Sequence, residues 1–384
     1  MMRALRTVGR AAPGAERSRY DSTEFRASAT KRQRALVERL RRTYNTDGLA
    51  LYLGAGVSAS AGFPDWAHLV RALLSRVIQR EAYGDDQQQL LYEQTDSWPW
   101  KPAAFRKAVE RVPFQNNRPL IMLARMLREH LKRDLRARVA GTLYFESMIG
   151  QYLIDTPWVR RLRRGEAVLD PDIMSSSLIN AIAEMSEPHA GRAGIKAIIN
   201  YNFDDLVDEI IRHRGTPCST VSAPGDRISA GALPCYHVHG VLPLRTYAAS
   251  FRQKHRRMKT RGDFVFSEDE YHRQYAEPFR WSNLVQTSLL GAYDGLFVGL
   301  SLEDPNIRRL LDSTHRQYPR RRNYAILRRQ RSLARAGRGV ENVVTNLFEQ
   351  IESESFVDIG VNVLWVDDFK DIPKLLDDIA VTRA

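Results

Sequence analysis

Residues 49–66 read LALYLGAGVSASAGFPDW, and this stretch predicts the fold. A continuous apolar run ends in a glycine cluster, and a helical pattern follows from Asp65. This order is typical of a buried parallel strand that leads into a phosphate-binding turn. Gly54, Gly56 and Gly62 lack a Cβ, so the backbone can turn sharply and bring its N–H groups against a diphosphate. The stretch indicates a dinucleotide site, although its spacing differs from G-x-G-x-x-G and a plain tight connection gives a similar pattern.

The composition is that of a globular chain with a large core. The 384 residues are 43% hydrophobic, which is enough for one large domain or two smaller ones. No apolar stretch approaches the roughly 20 residues of a membrane-spanning helix, and no signal-peptide pattern opens the sequence. We therefore expect a cytoplasmic protein without membrane contact. Two cysteines, Cys218 and Cys235, are too few for a disulfide framework or a four-cysteine zinc site.

The positive charge is concentrated in three stretches. Residues 1–44 carry 12 Arg and Lys against 4 acidic residues, 251–262 carry 6 against none, and 316–338 carry 9 against none. Their excess is larger than the net charge of +13, so the rest of the chain is net acidic. Such patches favour nucleic acid or an acidic partner surface, and solvated loops are the alternative interpretation.

Periodicity divides the chain into an arm, a core and an insert. Residues 1–44 are predicted to be a basic N-terminal arm followed by a helix over 31–44. Residues 84–190 show helical periodicity between proline breakers and no convincing strand, which predicts a helical insert. The core, 45–83 and 191–384, has strand patterns at 195–199, 236–238, 264–266, 296–298, 324–327 and 361–366. Helical patterns between them predict an α/β fold with a mostly parallel sheet.

Three of these strands end in polar or small side chains. Because ligands of open α/β sheets bind beyond the carboxyl ends of the strands, these ends are the candidate site. The first continues as NYNFDD at 200–205, where either Asp204 or Asp205 could simply cap the next helix. The third continues as GLSLED at 299–304, which suits contact with a ribose but also an ordinary strand-to-helix turn.

The second strand end, YHVHG at 236–240, presents two histidines. Strand alternation predicts that His237 and His239 point to the same face. A histidine pair is compatible with a metal site, but no third ligand with suitable spacing is apparent. A neutral imidazole beside Gly240 is equally suited to act as a general base, and a structural histidine is the remaining interpretation.

Taken in order, these motifs resemble those of the sirtuins. The matching stretches are GAGVSASAGFPDW, NYNFD at 200–204, His239-Gly240, and Gly299-Leu300-Ser301. The protein deacylases of that family carry a four-cysteine zinc module between the last two motifs, but residues 241–298 contain no cysteine, and Tyr201 replaces the usual Gln. The sequence is therefore most similar to the sirtuin-like bacterial antiphage defence proteins that cleave NAD, and no zinc is expected.

The resemblance implies a role for each matched residue. Asn202 would hold the nicotinamide ribose and the attacking oxygen, and His239 would act as the base. The further residues implied to bind NAD are Gly54, Ala55, Gly56, Val57 and Ser58 along or near the diphosphate, Asp204 at the nicotinamide carboxamide, Asp65 beside the nicotinamide pocket, and Gly299 with Ser301 at the adenosine ribose. The implied fold is a sirtuin-like Rossmann core, and the implied reaction is NAD hydrolysis to nicotinamide and ADP-ribose.

The same resemblance gives expectations about assembly. Because the closing strand and helix run almost to Ala384, we expect no added sensor domain and hence regulation in trans within a homo-oligomer. The most similar known arrangement is the sirtuin-like partner of a HerA-type hexameric ATPase, with the basic stretches as docking surface for the ring or for nucleic acid. NAD-dependent protein deacylation and a nucleic-acid-binding or scaffold role are the alternative functions.

Overall fold

The computed structural model describes residues 22–83, 107–108, 111, 119–133, 176–243, 261–329 and 340–380. The first half of the basic arm, most of the predicted insert, and the greater part of the basic stretch 251–262 lie outside the described residues. The same holds for 330–338, the last part of the third basic stretch.

Seven parallel strands form one sheet in the described part of the chain. They are β1 (Leu49–Leu53), β2 (Ile195–Asn200), β3 (Cys218–Val221), β4 (Leu233–His237), β5 (Asp294–Val298), β6 (Asn323–Arg328) and β7 (Val361–Val366), in the order β3-β4-β2-β1-β5-β6-β7. Every pairing between neighbours is parallel. The predicted α/β fold with a mostly parallel sheet is confirmed.

Helices cover both faces of the sheet. They are α1 (Ser22–Thr46), α2 (Ala55–Ala59), α3 (Trp66–Tyr83), α4 (Leu120–Arg133), α5 (Ser177–Met185), α6 (Leu206–His213), α7 (Glu268–Ala276), α8 (Trp281–Ala292), α9 (Pro305–Gln317), α10 (Val340–Val357) and α11 (Ile372–Ala380). Leu49, Leu51 and Leu53 of β1 enter one buried cluster, while Ala50 and Tyr52 enter the other. The continuous apolar run of β1 is thus explained by burial on both sides.

The strand order places β1 at a topological switch point. From β1 the chain builds the sheet outward through β2, β4 and β3 on one side, and through β5, β6 and β7 on the other. A crevice opens at the carboxyl end of a strand where the order reverses in this way, and nucleotides bind in that crevice in doubly wound proteins. The glycine turn directly follows β1, so the topology puts it at this crevice.

The strands predicted from the sequence differ from the structure in two places. Residues 264–266 form no strand; the apolar pattern arises because Phe264 stacks on Phe203, with ring centroids 4.3 Å apart, and Phe266 is fully buried. The sequence pattern missed β3, a four-residue edge strand whose Ser219 and Thr220 interrupt its apolar character. Edge strands need no continuous apolar run because one side lacks a neighbour.

Side-chain caps mark the starts of two helices. Ser267 and Glu270 form a capping box at α7, and Asp304 caps α9 by accepting hydrogen bonds from the N–H groups of Asn306 and Ile307 at 2.7 and 3.3 Å. The closing helix is α11, preceded by a 3₁₀ turn at Phe369–Asp371. The first helix begins earlier than predicted, at Ser22. Among the described residues, no helix has the length and apolar character needed to cross a membrane.

Candidate functional site

The glycine turn packs tightly against the loop that follows β5. A Cβ on Gly54 would lie 2.5 Å from the Leu300 side chain, and one on Gly56 would lie 2.9 Å from the Cα of Gly299. The N–H of Gly56 donates to the carbonyl of Gly299 at 3.0 Å. Glycine is therefore required here because two backbones meet, which brings the ends of β1 and β5 together.

A cavity of about 590 Å³ opens at this edge of the sheet. Its volume falls in the range usual for ligand sites. The cavity is lined by residues that follow β1, β2, β4 and β5, and by residues at the starts of α3 and α4. The lining residues are Ala55, Ser58, Pro64, Trp66, Leu69, Pro119, Leu120, Ile121, Tyr201, Asn202, Phe203, Asp204, His239, Val265, Tyr271, Leu300, Ser301, Glu303, Asp304, Pro305 and Ile307. The ends of four parallel strands thus converge on one cleft.

Asn202 is held rigidly at the floor of this cleft. Its Nδ2 donates to the carbonyl of Gly54 at 3.0 Å, and its backbone N–H donates to Oδ1 of Asn200 at 3.0 Å. His237 Nδ1 lies 3.3 Å from its backbone oxygen. Because the amide nitrogen is occupied by Gly54, the amide oxygen is the group that Asn202 can offer to a hydroxyl or a water in the cleft.

Asp204 is a buried carboxyl that also lines the cleft. Its Oδ1 accepts hydrogen bonds from Ser58 Oγ at 3.1 Å and from the N–H of Leu206 at 3.3 Å. Burial raises the pKa of Asp204 above its usual value despite these bonds, which favours its neutral form. Asp205 occupies the N-cap position of α6, but its side chain makes no capping bond there. Asp204 therefore combines a local bond to α6 with a place in the cleft wall.

His239 lies in the turn after β4, with its imidazole between two tyrosine rings. The centroids of Tyr201 and Tyr271 are 5.1 and 5.9 Å from the imidazole centroid, and both rings stand nearly perpendicular to it. Burial lowers the pKa of His239, and the charge of Asp304 opposes this shift only in part. A neutral imidazole in the wall of the cleft is suited to accept a proton.

The prediction that His237 and His239 share a face is wrong. Strand β4 ends at His237, and the chain turns through Val238 and His239 into Gly240, whose φ of 82° is in the left-handed region. Alternation stops where the strand stops, so His239 reaches the cleft while His237 points into the core. The two side chains consequently have no common ligand site.

His237 forms a buried ion pair that the sequence pattern did not reveal. Its Nε2 is 3.1 Å from Oδ2 of Asp208, and neither side chain is exposed. Cys235 lies beside them, with its Sγ 3.8 Å from the same Nε2, and Thr220 donates to Asp208 at 2.5 Å. The ligand atoms of Asp208, Cys235 and His237 lie within 4.8 Å of one another, and hydrogen bonds within the protein already engage each of them.

The implied NAD-binding residues divide into two groups. Ala55, Ser58, Asn202, Asp204, His239 and Ser301 line the cleft together, whereas Gly54, Gly56, Val57, Asp65 and Gly299 lie outside its wall. Asp65 accepts a 2.8 Å hydrogen bond from the N–H of His68 at the start of α3. The N–H groups of Gly56 and Val57 are bonded to Gly299 and Gly54. A contact of either group with NAD stays a prediction.

Several lining residues were not identified from the sequence. Tyr271 lies on α7, and Glu303 and Asp304 lie in the loop between β5 and α9. Pro119, Leu120 and Ile121 bring the start of α4, which falls inside the predicted insert, to the cleft. Spacing alone does not show that these segments meet β2 and β4, because their approach depends on long connections.

The fold and the cleft define an α/β protein of the Rossmann type with a cleft at its switch point. Residues 196–347 match the family model described as a SIR2-like domain, a span that includes Asn202, His239 and Ser301. The match supports a sirtuin-like protein and fits an enzyme that uses NAD. No curated protein matches the chain.

Proposed function

We propose that this chain is an NAD glycohydrolase that cleaves NAD to nicotinamide and ADP-ribose. The observation that carries the proposal is the meeting of Asn202 and His239 in one cleft at a topological switch point. Asn202 supplies a fixed amide oxygen, and His239 supplies a neutral base. The carboxyl group of Asp204 lines the same cleft. The SIR2-like match supports NAD as the substrate.

The reaction breaks the bond between the nicotinamide nitrogen and the ribose carbon. Nicotinamide leaves as a neutral molecule, the ribose carbon gains oxocarbenium character, and a water oxygen adds to it with loss of one proton. Asn202 can orient the ribose hydroxyls and the water through its amide oxygen. His239 can take up the proton, because burial keeps its imidazole neutral near pH 7.

The test is NAD consumption by the purified chain, followed by chromatographic separation of nicotinamide and ADP-ribose. Asn202→Ala is expected to abolish turnover and His239→Ala to reduce it strongly. His213→Ala, which changes an exposed histidine at the end of α6, is the matched control. Removal of an acetyl group from a lysine peptide only when NAD is added, while NAD alone survives, would instead establish a deacylase.

We further propose that the activity serves antiphage defence by depleting NAD, within a homo-oligomer controlled by a HerA-type ATPase. The motif resemblance supports this role, and the uneven positive charge offers surface for the ring or for nucleic acid. Light scattering after size exclusion, with and without the co-expressed ATPase, tests the assembly. A monomer that never co-elutes with the ATPase at any salt concentration would contradict it, and unchanged NAD in infected cells would contradict the defence role.

A further inference from the structure

The imidazole of His239 is oriented by ring packing, which is unusual for a general base. Within the described part of the chain, no hydrogen bond joins either ring nitrogen to a protein group. Its orientation comes instead from Tyr201 and Tyr271, which contact it edge-on at 5.1 and 5.9 Å. A base held only by packing depends strongly on what fixes those two rings.

The hydroxyl group of each ring has a polar neighbour. The Tyr201 hydroxyl donates to Oε1 of Gln286 on α8 at 2.7 Å. The Tyr271 hydroxyl faces the carboxylate of Asp304, and both residues line the cleft. Burial, and after it Asp304, keeps the pKa of Tyr271 well above its usual value, so this phenol stays protonated and can donate to the carboxylate.

Asp304 is itself immobile, because it caps α9. Its Oδ1 accepts from the N–H groups of Asn306 and Ile307, and Pro305 occupies the first turn. The loop before it contains Leu302, whose φ of 57° is left-handed although its side chain is buried. Such strain is found where a loop must hold a functional geometry. The carboxylate is thus anchored to the same loop that carries Ser301.

We propose that Tyr271 and Asp304 form a positioning pair for His239: the phenol ring sets the imidazole orientation, and the carboxylate fixes the phenol and supplies the negative charge that the imidazolium needs. The pair does the work that a directly bonded carboxylate does in a catalytic triad. The inference rests on the proposed NAD hydrolysis and adds two residues to it. Tyr271 and Asp304 are positioning residues, since each acts through His239.

Other charged groups near His239 cannot replace Asp304. The titratable side chains that line the cleft are Tyr201 and Asp204 after β2, Tyr271 on α7, and Glu303 and Asp304 after β5. On neighbouring segments, Asp263 pairs with Arg280, Glu270 with Arg128, and His237 with Asp208. Burial favours the neutral form of Asp204, and Asp304 is the group whose charge acts on the pKa of His239.

The experiment compares Tyr271→Phe and Asp304→Asn with the unchanged chain in NAD hydrolysis across pH. Asparagine caps helices about as well as aspartate, so α9 should be retained. We expect kcat to fall about tenfold in both variants, with KM for NAD changed less than twofold. In Asp304→Asn the acidic limb of the kcat/KM profile should move to lower pH, because the charge that raises the pKa of His239 is removed. Tyr271→Phe should leave that limb in place.

Two matched controls separate positioning from a structural effect. Asp368→Asn alters another helix-capping aspartate, before the turn Phe369–Asp371, and Tyr318→Phe alters an exposed tyrosine. Both should keep the original kcat and pH profile. Equal loss of kcat in the controls, or wild-type kcat and profile in Asp304→Asn and Tyr271→Phe, would overturn the inference.

A second measurement keeps the inference independent of the reaction. In the ligand-free chain labelled with ¹³C histidine, the His239 resonance is assigned by its absence from His239→Gln, and its titration is followed by NMR. The pKa of His239 should be lower in Asp304→Asn than in the unchanged chain. An unchanged titration would overturn the pairing even if NAD is hydrolysed, whereas absent NAD hydrolysis with the expected shift would overturn only the proposed function.

Discussion

His237 and His239 are separated by one residue, but they lie in two different environments at the end of β4. His237 points into the core, where Asp208, Cys235 and Thr220 surround it. His239 points into the cleft, where two tyrosine rings contact it. Both side chains are buried, so burial alone does not distinguish them.

The difference lies in the carboxylate. Burial works to lower the pKa of both imidazoles, yet contact with Asp208 raises the pKa of His237 above its usual value. The same burial, opposed only by the charge of Asp304, leaves the pKa of His239 lowered. Contact with a carboxylate favours the charged form of one buried histidine, and the absence of such a contact favours the neutral form of the other. The two histidines should therefore respond oppositely to mutation.

The largest expected effect is on activity, at His239. His239→Gln should lower kcat for NAD cleavage by about 10²–10⁴-fold, the usual contribution of general acid–base catalysis. The free energy of unfolding should change by less than it does in His237→Gln, because His239 makes no ion pair within the described residues. Steady-state kinetics and urea denaturation of the same preparation measure both. A large loss of stability without loss of turnover would reverse the roles assigned to the two residues.

The second effect is on stability, at His237. His237→Gln removes the cation that pairs with Asp208 and leaves a carboxylate buried at zero exposure. Breaking one side of a buried ion pair costs about 3–5 kcal/mol, so the urea midpoint should fall clearly. His213→Gln, at the exposed end of α6, is the control. A decrease in the free energy of unfolding of less than about 1 kcal/mol would contradict a stabilising ion pair between His237 and Asp208.

Much of the cleft could be predicted from the sequence, because its residues follow strands directly. Ala55, Ser58, Asn202, Asp204 and Ser301 lie where a parallel sheet gathers its carboxyl ends. The ion pair could not be predicted this way, since Asp208 lies on α6 and meets His237 only through the packing of α6 against the sheet. Tyr271 on α7 and Asp304 before α9 likewise belong to separate segments, and no spacing in the sequence indicates that both line the cleft.

The opposite pKa directions predict opposite pH dependences of stability. The raised pKa of His237 stabilises the fold fully below about pH 6.5, and this contribution is lost as pH rises through the folded-state pKa. The lowered pKa of Asp208 contributes above about pH 4 and is lost as pH falls through its folded-state value. The stability gap between the unchanged chain and His237→Gln should therefore be widest near pH 4–6.5 and narrow at higher pH.

His239 should give the reverse slope. Its lowered pKa means that the unfolded state binds the proton more readily, so the fold loses stability as pH falls from about 6.5 toward the folded-state pKa and has its full stability above about 6.5. From pH 5 to pH 8, the free energy of unfolding of the unchanged chain should therefore rise relative to that of His239→Gln. Urea denaturation at four or five pH values measures both gaps. Parallel slopes for the two histidine variants would contradict the comparison.

The smallest expected effect concerns the hydroxyl that supports the ion pair from β3. Thr220 Oγ1 donates to Oδ2 of Asp208 at 2.5 Å and accepts from Arg212 at 3.1 Å. Thr314 offers a matched control, because its Oγ1 donates to a neutral carbonyl, that of Leu310, at 2.7 Å within α9. Both threonines can be changed to valine with almost the same shape. The comparison isolates the charge of the acceptor.

A hydrogen bond to a charged group contributes about 1.5–3 kcal/mol, against about 0.5–1.5 kcal/mol for a neutral pair. Thr220→Val should therefore lower the free energy of unfolding by about 2 kcal/mol, and Thr314→Val by about 1 kcal/mol. In the His237→Gln background the cost of Thr220→Val should change, because both substitutions act on Asp208, whereas Thr314→Val should add independently. Strict additivity of Thr220→Val with His237→Gln in urea denaturation would show that the hydroxyl and the imidazole do not share the carboxylate as one network.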